Sequence, residues 1–265
     1  MNNIIVIPAR FASSRFPGKP LALINEKTLI QRVFEIAQAV KSIDGVFVAT
    51  DSEEIAQHVK LFSDSSSVVM TSESCTNGTE RVWEAVRKLD IKPRCIINLQ
   101  GDAALMPPWV IEALVLEMQS NKTLEIVTPA ARLNKDQAQA MRDMKARGIV
   151  SGTTVTFSRS KNALYFSKNI IPFIRADSKL ASSEPPIYQH IGVYGYSYSS
   201  LKRYIELPVG DLERCEQLEQ LRALENDMPI RVVEVSLQGR TIWPVDNRED
   251  IARVTDIIAN EGELV

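Results

Sequence analysis

The stretch IIVIPARFASSRFPGKPL, Ile4 to Leu21, changes character in its middle. Its first six residues form a short apolar run rich in β-branched side chains, the composition of a buried strand. Directly after Ala9 come Arg10, Arg15 and Lys19 together with two serines, Pro17, Gly18 and Pro20, and helical spacing does not begin until Leu29. An irregular cationic segment at the carboxyl end of a strand has to be held by backbone and by charge.

Outward from this stretch the first half of the chain keeps one rhythm. Apolar runs NIIVIPA, GVFVATD, SVVMTS and RCIINLQGD alternate with the amphipathic patterns TLIQRVFEIAQAV, SEEIAQHVKLF, TERVWEAVRKL and PWVIEALVLEMQ. That βαβαβαβα order predicts a mostly parallel sheet with helices on both faces. Ser52, after VATD, is the expected N-cap of the second helix. The second half reads as strands IVTPAARL, IVSGTTVTFSR, NALYFSK and HIGVYGYS separated by polar turns rather than helices, which predicts antiparallel or mixed pairing. SLKRYIEL, DLERCEQLEQLRALEND and NREDIARVTDIIANEGEL read as helices, PIRVVEVS as a strand, and RADSKLASSEPPIYQ as an exposed loop.

Composition narrows the classes. At 265 residues and 45% hydrophobic the chain can bury a sizeable core in one domain, and Lys plus Arg at 31 nearly balances Asp plus Glu at 33. A net charge of −2 carries no general field for nucleic acid or a membrane surface, so an anionic ligand must be met locally. Cys75, Cys95 and Cys215 are far apart with no C-x-x-C pair, which points to reduced thiols rather than zinc or a disulfide. With no basic-then-apolar leader and no apolar run of about 18 residues, a soluble cytoplasmic protein is expected.

Three strand ends carry candidate chemistry. In open α/β sheets ligands sit beyond the carboxyl ends of the strands. After Ala9, main-chain N–H groups with Arg10, Arg15 and Lys19 can cradle a triphosphate, although a solvated basic loop explains the same residues. Neither G-x-x-x-x-G-K-[ST] nor G-x-G-x-x-G is present. Asp102 in NLQGDAALMP follows a strand and can hold Mg²⁺, or be a turn aspartate. Asp246 in IWPVDNRED precedes the last helix, where an N-cap is the plainer reading.

The segments IPARFASSRFPGKPL, VATD, MTSESCTNGTER, NLQGD, ALYFSKNIIPF, HIGVYGY, LEQLRALE and VDNRED stand in the order and approximate spacing of the 3-deoxy-manno-octulosonate cytidylyltransferases, the CMP-Kdo synthetases. The resemblance runs from residue 4 to about residue 255. It implies an α/β, Rossmann-like nucleotidyltransferase fold with a mixed, mostly parallel sheet flanked by helices. Residues 1–265 then form a single domain, with a smaller antiparallel section at about 150–205 for sugar binding and dimerisation.

The implied reaction is attack by the anomeric hydroxyl of a 3-deoxy-2-keto sugar acid on the α-phosphorus of CTP, with Mg²⁺ as cofactor and pyrophosphate leaving. Such an activity serves lipopolysaccharide or capsule biosynthesis. The implied partners are CTP and the sugar acid in a homodimer, without nucleic acid or membrane.

By the same resemblance Arg10, Ser14, Arg15 and Lys19 contact the CTP phosphates. Thr71, Gly78, Thr79 and Arg81 contact base and nucleotide, and Asp102 and Asp246 hold the metal. Gln100, His190, Tyr194, Glu219 and Gln220 bind the sugar. Lys19, Arg10 and Asp102 carry the catalytic roles.

Departures from the family pattern are Ala103 and Ala104 where Glu-Pro is usual, Thr154 in place of a lysine, and Cys75 and Asn77 in place of histidine and serine. They point to a modified Kdo, such as an amino or deoxy variant, or another 2-keto-3-deoxy sugar acid, as acceptor. The alternative is a CTP-binding paralogue with a regulatory role.

Overall fold

The computed structural model describes residues 1–12, 15–149, 151–175 and 185–265. Strand β1 (Asn3–Ala9) is buried along its whole length and lies between β4 (Gly45–Thr50) and β6 (Cys95–Leu99), parallel to both. Its Val6 stands beside Phe47 on one side, and Ile5 beside Ile97 on the other. A short hairpin, β2 (Leu23–Ile24) with β3 (Lys27–Thr28), follows the cationic segment and leads into α1 (Leu29–Gln38). Then come α2 (Glu53–Val59), β5 (Val68–Met70), α3 (Gly78–Lys88), α4 (Pro108–Ser120) and β7 (Ile126–Arg132).

Beyond β7 lie α5 (Lys135–Ala146), β8 (Thr154–Phe157), β9 (Ala163–Ser167), β10 (Tyr188–His190) and β11 (Val193–Tyr196). The chain closes with α6 (Tyr198–Ile205), α7 (Asp211–Glu216), α8 (Gln220–Glu225), β12 (Ile230–Glu234) and α9 (Glu249–Glu261). The main sheet runs β5-β4-β1-β6-β11-β7-β10-β8-β9, with β12 parallel to β7. Strands β1, β4 to β8 and β12 point one way and β9, β10 and β11 the other, so the sheet is mixed and mostly parallel as expected.

Strand alternation divides the core in two. Ile5 and Ile7 face α1, α2, α4 and α9 through residues such as Val33, Ile55, Leu114 and Val254, whereas Ile4 and Val6 face α3, α6 and α8 through Val82, Leu201 and Leu221. Full burial of each such side chain contributes about 1.5–3 kcal/mol, so β1 is anchored from both faces. Side-chain caps start the helices where short polar residues stand: Thr28, Ser52, Asn77, Asn134 and Ser197 each accept from a backbone N–H of the first turn.

Four expectations need correction. Helix α5 lies between β7 and β8, where polar turns were expected. It buries only Ala138 and Met141, a stripe too thin to register as periodicity, and it is started by a capping box of Asn134 and Gln137. The single helix expected over residues 211–227 is broken at Gln217, whose φ of 51° is left-handed. Helix α8 packs back on α7 because Arg222 holds Glu213 in a buried two-point ion pair at 2.7 and 2.6 Å. Glu225 also accepts from the N–H groups of Leu212 and Glu213. HIGVYGYS is not one strand, since β10 ends at His190 and β11 begins at Val193, both lying antiparallel to β7. The end of the expected loop, Tyr188 and Gln189, belongs to β10, while residues 176–184 of it lie outside the described residues.

Candidate active site

A cleft of about 380 Å³ opens at the carboxyl ends of β1 and β6, beside the first turn of α3. Two glycines permit its construction. A side chain at Gly101 would bring a Cβ within 2.7 Å of the Pro8 carbonyl oxygen, so the turn after β6 reaches the end of β1 only through glycine. At Gly78 the same atom would lie 3.1 Å from Gln100 Oε1 and 3.3 Å from Pro8 Cγ, which lets the start of α3 close against both strands.

The cationic segment supplies one wall. Gly18, at a φ of 71°, returns its N–H to the Phe11 carbonyl at 3.0 Å and opens a short 3-10 turn over Lys19–Leu21. Arg10, Arg15 and Lys19 border the cleft. Lys19 Nζ donates to Asp102 Oδ2 at 2.9 Å and to the Val245 carbonyl at 2.8 Å, while Val245 N–H donates to the Asp102 carbonyl at 3.1 Å. One ammonium thus ties three separate segments together. Arg15 Nη2 lies 3.1 Å from Asp246 Oδ1. The N-cap reading of Asp246 does not hold, because Asp250 accepts from the N–H groups of Asp246 and Asn247 and leaves the Asp246 carboxylate to the cleft.

The opposite wall is α3 and α8. Cys75, Thr76, Asn77 and Gly78 present the amino end of α3 to the cleft, where its partial positive charge favours anions. Arg81 borders it too but is 3% exposed and doubly held, by Thr71 Oγ1 and Asp51 Oδ2, each at 2.6 Å. Gln100 and Glu219 line the same space and are joined through Asn98 and Thr79. Burial is the first cause raising the Glu219 carboxyl above its ordinary value, opposed by the Thr79 hydroxyl and the Arg222 charge.

Thus the structure brings Arg10, Arg15, Lys19, Gly78, Arg81, Gln100, Asp102, Glu219 and Asp246 to one cleft. Thr71 and Thr79 are buried behind it, with their hydroxyls engaged by Arg81 and Glu219. His190, Tyr194 and Gln220 are not among its lining residues. His190 Nε2 lies 2.9 Å from the Thr128 hydroxyl, which also reaches the Val193 carbonyl at 2.9 Å. Burial depresses that imidazole to about 3 and keeps it neutral. Ser14 lies outside the described residues.

Ala103 and Ala104 turn into the apolar core, and Thr154 is fully buried, donating to the Asn169 carbonyl at 2.7 Å and accepting from Ile171 N–H at 3.1 Å. None of the three borders the cleft. Cys75 does, but its thiol donates to Glu84 and is raised to about 11, first by burial and then by that carboxylate, so it stays protonated near neutral pH. Asn98 and Asp51 stand inside NLQGD and VATD, but nothing in those segments gives either a role, although Asp51 directly follows β4.

No group of three or more His, Cys, Asp or Glu gathers among the described residues. Two carboxylates bordering an open cleft nevertheless match the donor set of Mg²⁺, which takes one or two carboxylates and completes its shell with water and phosphate oxygens.

A family model described as cytidylyltransferase matches residues 4–230. The chain is 48% identical, over its whole length and all of the relative, to a 3-deoxy-manno-octulosonate cytidylyltransferase of Maricaulis maris. It is 40% identical, over 95% of this chain and 96% of the relative, to an 8-amino-3,8-dideoxy-manno-octulosonate cytidylyltransferase of Shewanella pealeana. A solved CMP:2-keto-3-deoxy-manno-octonic acid synthetase complexed with CTP superposes with a TM-score of 0.85 at 32% identity, covering 98% of this chain and all of that one.

Proposed function

The chain belongs to the 3-deoxy-manno-octulosonate cytidylyltransferase (CMP-Kdo synthetase) family and is a CTP-dependent sugar-acid cytidylyltransferase, and on that premise we propose how its cleft performs the transfer. The observation that carries the reading is the convergence on Lys19 of Asp102 and Val245, 83 and 226 residues away, with Arg10 and the start of α3 on the same cleft. Cations and backbone donors there accept the triphosphate, and the pyrimidine sits toward the α3 side. Lys19 leaves Asp102 for phosphate oxygens and balances charge on the departing pyrophosphate.

The anomeric oxygen of the sugar acid forms a bond to the α-phosphorus as the bond from that phosphorus to the bridging oxygen of the β-phosphate breaks. Its proton passes to solvent through the open cleft. No covalent intermediate with the protein is needed, so positioning and electrostatics supply the rate. Asp102 and Asp246 would hold Mg²⁺, which when bound neutralises phosphate oxygens and makes the phosphorus more electrophilic. Gln100 and Glu219 meet the acceptor.

The acceptor is Kdo or an amino-bearing Kdo, the two acids named among the relatives. Because Ala103 and Thr154 lie off the cleft, their influence on that choice has to be indirect. Two copies associate through the β9 end of the sheet, where Leu164 is 63% and Phe173 88% exposed. Residues 150–205 then serve as the dimerisation and sugar-binding section of one domain. A cytoplasmic location is part of the same proposal; none of the described helices is long and apolar enough to cross a membrane.

The test is pyrophosphate release with CTP and Mg²⁺ against Kdo, its 8-amino analogue, a nonulosonic acid and no acceptor. Acid-dependent release with one or both octulosonates is expected. Release without an acid, or none with any acid, would reject the reading.

A further inference from the structure

Hydrogen-bond accounting along the wall opposite the cations determines which way one amide points. The Thr79 hydroxyl has a single proton, and that proton is shared by Glu219 Oε2 at 3.1 Å and the neighbouring Tyr196 hydroxyl, with which Thr79 is also hydrogen-bonded. Toward Asn98 it can therefore only accept, which it does from Nδ2 at 3.2 Å. Asn98 is then oriented with Oδ1 toward Gln100 and accepts from its Nε2 at 2.9 Å. The Gln100 carbonyl oxygen is left away from Asn98, beside Gly78 on the cleft wall. Asn98 is 0% and Thr79 4% exposed, so no water can substitute for a flipped amide. Reversing one member would set oxygen against oxygen in a dry interior.

We propose that Asn98 is a positioning residue that fixes the polarity of the Gln100 amide, so that this wall accepts hydrogen bonds and selects a hydroxyl or ammonium group of the sugar acid. The inference rests on the acceptor-binding role given above to Gln100. An oxygen sharing its wall with the Glu219 carboxylate repels the carboxylate of the sugar acid. That group is directed instead toward Arg10, Arg15 and Lys19 across the cleft. Gly78 contributes by lacking a side chain where the amide oxygen must stand.

Thr79→Val keeps the shape of the side chain and removes the hydroxyl, so neither Asn98 nor Gln100 is held in one orientation. The Michaelis constant for the sugar acid should rise about tenfold while that for CTP stays within about twofold, the scale of one lost hydrogen bond. Thr79→Ser, which retains the hydroxyl, should recover most of the loss. A merely structural role would change both constants together and would overturn the proposal, as would an unchanged acceptor constant in Thr79→Val.

A second readout needs no turnover. In ¹⁵N-labelled parent protein the Gln100 side-chain amide, assigned by its loss in Gln100→Leu, should hold one proton that exchanges slowly. Exchange at the rate of a free glutamine would contradict the proposal. If the parent releases no pyrophosphate with any sugar acid, the functional reading fails, and the amide protection still decides the polarity.

Discussion

On one side of the cleft Arg15 is held against Asp246 by an ion pair open to solvent, and Lys19 against Asp102 by one that is half-buried. On the other, Gln100, Asn98, Thr79 and Glu219 form a hydrogen-bonded chain whose middle members are dry. The first side must exchange its partners when an anion arrives, and loosely screened charges allow that. The second side cannot rearrange cheaply and so comes ready-made for its ligand. The cleft thus combines a cationic wall that adapts with a hydrogen-bond-accepting wall that discriminates.

The largest way to break this contrast is Lys19→Ala. It removes the charge that faces the leaving pyrophosphate and should lower kcat about 10²–10³-fold, with the constant for the sugar acid within about threefold of the parent. Steady-state pyrophosphate release reads both, and equal turnover would sink the role given to Lys19.

Gly101→Ala tests the joint between the walls. A Cβ 2.7 Å from the Pro8 oxygen forces the β6 turn away from β1, and unfolding in denaturant should show a loss of about 1–3 kcal/mol.

The buried core behind the cleft has its own pH signature. His190 is held near 3 by burial, whereas in the unfolded chain it titrates near 6.5, so between those values only the unfolded state takes up the proton. Stability from this group is complete above about pH 6.5 and falls on acidification, with a slope of up to about 1.4 kcal/mol per pH unit. Unfolding measured from pH 7 to 4 in parent and His190→Gln should separate, and parallel curves would contradict the assignment.

Smallest is the stability effect of Arg15→Ala. Arg15 and Asp246 have side chains 69% and 40% exposed, and such pairs contribute about 0–1 kcal/mol, so the melting temperature should hardly move while the constant for CTP rises. A large thermal shift would mean that the charged wall is structural.

Much of this was legible before the fold was seen. The alternation of apolar runs and helical spacing predicts β1, β4, β5 and β6 with the helices around them, and Ser52 caps α2 as its position implied. The strand-end rule puts Lys19 and Asp102 together because both follow adjacent parallel strands.

What escaped depends on partners distant in sequence. The break at Gln217 follows from Arg222 meeting Glu213, and no local pattern separates it from a continuous helix. Helix α5 is mostly polar, so its stripe carries little signal. Asn98 looks like a polar lapse in an apolar strand, and its purpose appears only when Thr79 and Gln100 stand on either side of it.

The central claim is that a sugar-acid oxygen attacks the α-phosphorus of CTP in this cleft, and isotope transfer tests it most directly. Kdo labelled with ¹⁸O at its anomeric hydroxyl would be incubated with CTP, Mg²⁺ and the enzyme, and the products read by ³¹P resonance. The account predicts an isotope-shifted phosphorus in the CMP-sugar and unlabelled pyrophosphate in equal amount. Label in the pyrophosphate, or a CMP-sugar without the shift, would contradict it.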